Sequence, residues 1–568
     1  MTTTFTHAIL GELKGIVKDD GRITQFRGVP FASVPARFRQ ATPLTTLDGS
    51  TRDFSEWGFV CPQIYDPQFI AGTAFGGPID RLEYTFDEFK CLNLTITVPT
   101  FAIKDTSKAL PVMVWVHGGG LKIGGGANFG LEDCTKIVEQ SMEMGTPVIT
   151  VALQYRLGPL GFASSKELFE EAKKNGENPG NFGLWDVILG FDWISKFISG
   201  FGGNDSDITA FGESAGSIIL SYLIISKGHG RKLFKRAIMQ SGVATTMAPS
   251  EVSAEQANFD KVYAACVKNR PYFPSAQDKV DGLRAANIDD ILKVNPFFGP
   301  NYRVVVDGVL FEKKYSIDEV TALTFDCDWI ESILIGDCQF EGILFRQWVE
   351  MIVNKTGSPN SLFYGQLNDM YGSAVAARLP EILDSFSLEK YRDYSPSKIA
   401  VMAMSAMMYI KNKVTPITIP EEDIMKMSMM VGSIVFQAQS YHIARYSGKK
   451  KHDIKTYLYH FDKINPFPGM GHGFSHHYLD VIYLFKNTVG RIIELEGIKG
   501  NQEKVDFEIN FSNNFTGKFI SFAAGQEPWD SSRVGVIGGT SSDWVVMADE
   551  EDEVTNNRPL KGWKSLLA

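Results

Sequence analysis

Apolar positions along the chain fall into two patterns. "PVMVWV" (Pro111 to Val116), "PVITVAL" (Pro147 to Leu153), "DITAF" (Asp207 to Phe211) and "RAIMQ" (Arg236 to Gln240) are compact apolar runs. Their length and lack of alternation fit strands buried on both faces. Between them, "LWDVILGFDWISKFI" and "SIILSYLIISK" are long enough for helices. Strands alternating with helices predict an α/β fold, a large mostly parallel sheet with helices on both faces. The order blurs between about 245 and 330 and again between 343 and 455, where polar and methionine-rich helical patterns such as "IMKMSMMVGSIVFQ" take over. Methionine fills irregular gaps well, so this stripe reads as core filler, and the two stretches read as cap or pocket-wall insertions over a site on the sheet. Sheet pattern returns at "IKTYLYHFD" (Ile454 to Asp462). Internal repeats and low-complexity linkers are missing, so one domain over 1–568 with long insertions is expected.

Composition narrows the function class more than the fold. Hydrophobic residues at 44% and charged residues at 21% are ordinary for a globular chain. A net charge of −10 and a pI near 5.5 leave no basic field for a phosphate backbone, which argues against a nucleic-acid partner. The short cluster Lys449 to Lys451 sits beside turn-forming Gly448, and the acidic run Asp549 to Glu553 reads as a solvated tail. The N-terminus lacks a charged segment followed by a continuous apolar one, and no stretch approaches the ~18 apolar residues of a membrane helix. A cytoplasmic protein without a membrane span is therefore expected. Cys61, Cys91, Cys134, Cys266, Cys327 and Cys338 are scattered without metal-type spacing, which predicts mostly free thiols. The N-x-S/T triplets at Asn93, Asn204, Asn354, Asn510 and Asn514 would matter only in the secretory pathway.

The chemistry concentrates at "AFGESAGS" (Ala210 to Ser217). A bare G-x-S-x-G is short enough to arise by chance, so its context decides. A strand pattern enters Ser214 and an apolar helical pattern leaves it. That sharp turn lifts a serine hydroxyl clear of the backbone, with Gly212 and Gly216 preventing clashes, and it points a helix N-terminus at the reacting carbonyl. Upstream, "VWVHGGG" (Val114 to Gly120) is a strand ending in three glycines. Backbone N–H groups can approach a substrate oxygen closely where no Cβ stands in the way.

These blocks stand in the same order as in a known family. With "FRGVPFA", "QYRLGPLGF" (Gln154 to Phe162), "GNFGLWD" (Gly180 to Asp186), "FKRAIMQSG" (Phe234 to Gly242) and "VDG" (Val306 to Gly308), the chain resembles the type-B carboxylesterase/lipase family from about residue 10 to 530. Its members, α/β-hydrolases, include cholinesterases and fungal lipases. The resemblance implies an α/β-hydrolase fold and a Ser-Glu-His triad. The family's G-x-x-x-x-E-G block matches "GDCQFEG", so Glu341 takes the place of the acid, while Asp337 in the same block is by default a surface or cap residue. "GMGHGFSHHYLDVIYLF" offers His472, His476 and His477. Only His477 has the family's acidic residue at +3, Asp480, and phenylalanine at +8, Phe485. His472 and His476 have a metal-compatible spacing, but no nearby carboxylate-histidine set completes a site, so loop orientation is expected of them. Gly119, Gly120 and Ala215 match the family's oxyanion hole.

The implied reaction is hydrolysis of an uncharged or hydrophobic carboxylic ester, a small molecule, through an acyl-enzyme, with no cofactor and no metal. An acyltransferase or lactonising enzyme would share every motif, and a non-catalytic interaction protein on the same fold would usually lack the serine. The family's N-terminal disulfide matches Cys61 and Cys91 in position, and the bond is left open because an intracellular chain keeps thiols reduced. Between those cysteines there is no tryptophan, where cholinesterases place the indole that binds a quaternary ammonium, which argues against a cholinesterase.

Overall fold

The computed structural model describes residues 1–47, 52–64, 85–268, 271–272, 274–294, 302–346, 348–350, 421–468, 471–556 and 558–567. The strands before the apolar runs are β1 (Thr2–His7), β2 (Gly11–Lys18), β3 (Ile23–Pro30), β4 (Ala32–Ser33), β5 (Thr42–Pro43), β6 (Asp53–Phe54) and β7 (Asn93–Pro99). The predicted runs follow as β8 (Leu110–Val116), β9 (Ile149–Leu153), β10 (Gly203–Glu213) and β11 (Arg236–Gln240). The last four are β12 (Ser332–Cys338), β13 (Lys455–Asp462), β14 (Val534–Gly538) and β15 (Ser541–Met547).

One sheet takes all but β4 and β5, in the order β1-β2-β3-β7-β9-β8-β10-β11-β12-β13-β14-β15, with β6 beside β2. Neighbours from β9 to β14 run parallel, and both flanks are antiparallel except for the short β6, which runs parallel to β2. Alternation along β8 explains the two layers. Val112, Val114 and Val116 join a core that includes the helices Phe182–Phe197 and Ala215–Ile225. Met113 and Trp115 point the other way, into a core with Phe211, Ile238, Leu334 and Tyr457 from the neighbouring strands. There Phe511, Phe515 and Phe519 of the helix Gln502–Ala523 pack as a stripe. Parallel strands covered on both faces explain the unbroken apolar runs.

Two sequence blocks meet through a buried ion pair. Arg156 donates from Nε and Nη2 to the two oxygens of Asp186, each at 2.7 Å, tying the loop after β9 to the helix Phe182–Phe197. A fork on a carboxylate fixes geometry as well as charge.

The stretch near 245–330, expected as an insertion, contains the helices Val252–Cys266, Ala276–Ala285, Ile288–Val294 and Ile317–Asp326, with a non-helical segment over 302–316. Of the second insertion, residues 351–420 lie outside the described residues. The stretch Glu421–Ala444 is helical, and Met425, Met427, Met429 and Met430 are buried as filler. Among the described residues no helix is long and apolar enough to cross a membrane. All six cysteines are free and buried, with Cys61 and Cys91 side by side.

Two expectations need correction. Asp337 is no surface residue: it is fully buried on β12 and accepts from His460 Nδ1 at 2.8 Å. The acidic run is no solvated tail either. It forms the helix Asp549–Thr555, in which Asp549 pairs with Arg445 at 2.7 Å and buried Asp552 faces Arg558 at 3.3 Å. Residue polarity alone favours exposure, and a hydrogen-bonding partner in the fold overrides it.

Candidate active site

The parallel strands deliver their chemistry at their C-terminal ends, where α/β sheets open crevices. β10 ends at Glu213, and Ser214 begins the turn into the helix Ala215–Ile225 with φ 52° and ψ −123°, a conformation that strains any residue with a Cβ. Its backbone N–H donates to the Gln240 carbonyl at 2.9 Å, which fastens the turn to β11. The flanking glycines are needed for space: a Cβ on Gly216 would lie 1.9 Å from the Val116 carbonyl oxygen, and one on Gly212 would lie 2.8 Å from it. Ser214 is half-buried.

β8 ends beside this turn. Its glycine run approaches so closely that a Cβ on Gly118 would stand 3.2 Å from Ser214 Cβ. Gly119 and Gly120 have φ of 101° and 62°, a region open to glycine without strain. Among the described residues nothing occupies the N–H groups of Gly119, Gly120 or Ala215. His117 braces the run from beneath, stacked on Tyr155 at 4.4 Å between ring centres, while Tyr155 donates its hydroxyl to the His117 carbonyl. Burial lowers the His117 pKa to about 4 and keeps the ring neutral.

Glu341 follows β12 by three residues. One carboxylate oxygen accepts from Ser241 Oγ at 2.6 Å and from the Cys338 N–H at 2.7 Å, and the other accepts from His477 Nδ1 at 2.5 Å. The loops that carry Glu341 and His477 join directly, since the Phe340 N–H donates to the Ser475 carbonyl at 2.6 Å. Phe436, from a π-turn at Ser433–Gln437, lies over the His477 ring at 4.8 Å. His477 Nε2 sits 2.9 Å from Glu213 Oε1, out of hydrogen-bond alignment, and Ser214 Oγ makes no hydrogen bond to it in this state. Burial disfavours the charged imidazole, yet the Glu213 and Glu341 carboxylates outweigh it and hold the His477 pKa well above its ordinary value. Burial raises Glu213, opposed by His477. Asp480, three residues beyond His477, accepts from Gln240 Nε2 at 2.7 Å, and burial pushes it up to about 7.

The remaining histidines orient their loop. His476 is buried with its pKa lowered to about 4 by burial, and exposed His472 bonds the Phe467 carbonyl through Nδ1 at 3.1 Å. Four supporting residues escaped the sequence reading: Glu213, Gln240, Ser241 and Asp480 in its bonding role. Ser241 carries the clearest missed signal, because it lies in the "MQSG" stretch and has φ 57°.

The chain is similar to known lipases and esterases. The chain is 25% identical to Lipase 3 of Yarrowia lipolytica, over 97% of this chain and 94% of that one. It is 31% identical to the para-nitrobenzyl esterase of Bacillus subtilis, over 51% of this chain and 52% of the esterase. The solved structure of Aspergillus niger EstA superimposes with a TM-score of 0.68 at 19% identity, covering 100% of this chain and 98% of EstA, which gives the fold. The sequence profile of the Carboxylesterase family matches residues 2–561, and the chain belongs to that family.

Proposed function

We propose that this chain hydrolyses uncharged or hydrophobic carboxylic esters through a covalent acyl-enzyme on Ser214. Family membership supplies the reaction class, and relatives named lipase and esterase give no support to the acyltransferase alternative. The observation that carries the residue roles is a convergence: the Glu341–His477 hydrogen bond stands beside a strained serine and three unoccupied N–H groups.

In this reading Ser214 Oγ attacks the ester carbonyl while His477 Nε2 takes its proton. The oxyanion rests on the N–H groups of Gly119, Gly120 and Ala215, each typically worth roughly 3 kcal/mol of barrier. His477 then returns the proton to the departing alkoxide, and the alcohol leaves. Water attacks the acyl-serine with the same base, releasing the acid and restoring the hydroxyl. Glu341 holds the imidazole by Nδ1 and favours its charged form. The raised His477 pKa fits a group that must hold a proton midway through each half-reaction.

A serine-directed fluorophosphonate tests the nucleophile. Wild type is expected to gain one adduct by mass and to turn over nitrophenyl esters between acetate and palmitate, and Ser214→Ala to do neither. An alanine variant that still labels refutes the assignment. A wild type that labels yet hydrolyses none of the esters refutes hydrolysis.

A further inference from the structure

His477 is gripped through both of its chain neighbours. On one side, His476 accepts from Asn465 Nδ2 at 2.9 Å through Nε2 and donates from Nδ1 to the His477 carbonyl at 2.8 Å. On the other side, Tyr478 has φ 75°, in the left-handed region that disfavours a bulky side chain. Such a conformation persists only where its surroundings over-determine it. Here the Tyr478 hydroxyl donates to Glu132 Oε1 at 2.8 Å, and Trp115 Nε1 donates to the other oxygen of the same carboxylate at 3.1 Å. Glu132 is buried, which pushes it up to about 7, and burial together with Glu132 pushes the Tyr478 phenol well above its usual value, so it stays a donor. Trp115 lies on β8, the strand that runs into the glycines, and Glu132 lies on the stretch after them. One carboxylate thus ties the oxyanion side of the site to the histidine loop.

We infer that Tyr478, held by its hydroxyl on Glu132, is a positioning residue that keeps the His477 imidazole seated between Glu341 and Glu213. The inference rests on reading His477 as the base. When the tether is lost, residue 478 relaxes toward negative φ, the peptide it shares with His477 rotates, and the imidazole leaves its seat.

Turnover of p-nitrophenyl butyrate, the rate of fluorophosphonate labelling and thermal melting test this on Tyr478→Phe, Tyr478→Gly and His477→Ala. Tyr478→Phe is expected to lower kcat and the labelling rate about tenfold with KM within about twofold, as for a displaced reacting group. Tyr478→Gly, which takes the left-handed conformation without strain, is expected to regain roughly threefold of that loss while melting lower than Tyr478→Phe. A purely structural tyrosine gives the reverse order, with the glycine variant the slower. That order, or a Tyr478→Phe enzyme with wild-type kcat beside an inactive His477→Ala, overturns the inference and leaves the base assignment standing. An active His477→Ala overturns the base assignment, and the inference with it.

Discussion

His477 against Glu341 and His460 against Asp337 are built from the same two groups, and β12 supplies or leads to both carboxylates. Both imidazoles are buried, with Nδ1 bonded to a carboxylate at 2.5 and 2.8 Å respectively. They differ at the other nitrogen. His477 Nε2 faces Glu213 and the turn that holds half-buried Ser214. His460 Nε2 faces Asp552 at 3.5 Å, in a cluster closed by Arg558, which also donates to Asp462 at 2.5 Å, and roofed by Trp563 at 5.8 Å. The comparison teaches that a buried carboxylate–histidine pair is a structural module. If His477 is the base, what sets its pair apart is the serine turn beside Nε2, where His460 has only Asp552.

Five variants sharpen or break that contrast. The largest effect is expected from His477→Ala, which should cut kcat by about 10⁴-fold or more in ester turnover. His460→Ala should leave kcat per folded molecule within roughly threefold and instead cost about 3–5 kcal/mol in denaturant unfolding, because Asp337 loses its partner. Equal loss of turnover in both variants would erase the distinction. Next comes Arg558→Met, which strands Asp462 and Asp552 in the interior and should also cost about 3–5 kcal/mol without moving KM.

A smaller effect, on pH, follows from Glu213. Only the neutral imidazole accepts a proton, so kcat/KM should rise with pH through the raised His477 pKa, with its acid limb above the 6.5 of a free histidine. Glu213→Gln removes a carboxylate that favours the imidazolium and should move that limb to lower pH. A limb that stays put removes Glu213 from the account. The smallest effect belongs to the exposed pair Lys14–Asp53, where Lys14→Ala should change stability by less than about 0.5 kcal/mol and turnover not at all.

The contrast also marks how far the amino-acid order could be read. β8 and β9 were legible because strands covered on both faces are apolar at nearly every position, and β10, β11 and β13 because each keeps a compact apolar stretch within its polar ends. The antiparallel flank was not: β1 reads "TTTFTH" and has little polar contrast between its faces. The helix Gln502–Ala523 had a usable signal in phenylalanines 511, 515 and 519, masked by polar residues between them. At the site, Ser214 and the glycines sit in local motifs, and Glu341 and His477 came through resemblance. Asp337 and Asp552 were misread because both face His460, far from each of them in sequence, and because Arg558, close to Asp552 in sequence, is held inside by distant Asp462. Glu213 sat inside the serine motif, and its contact with His477 arises only when loops 264 residues apart meet.

Arg558 gives this architecture an order in time. During synthesis Asp462 and Asp552 leave the ribosome before Arg558, the cation that they share in the finished fold. A nascent chain that has yet to extend to residue 558 already contains Ser214, Glu341 and His477, yet it cannot bury that pair of acids without an uncompensated charge. The pocket around Asp462 and Asp552 is therefore expected to close only once Arg558 is in place, so a chain cut short before residue 558 should be digested by protease faster than the full one.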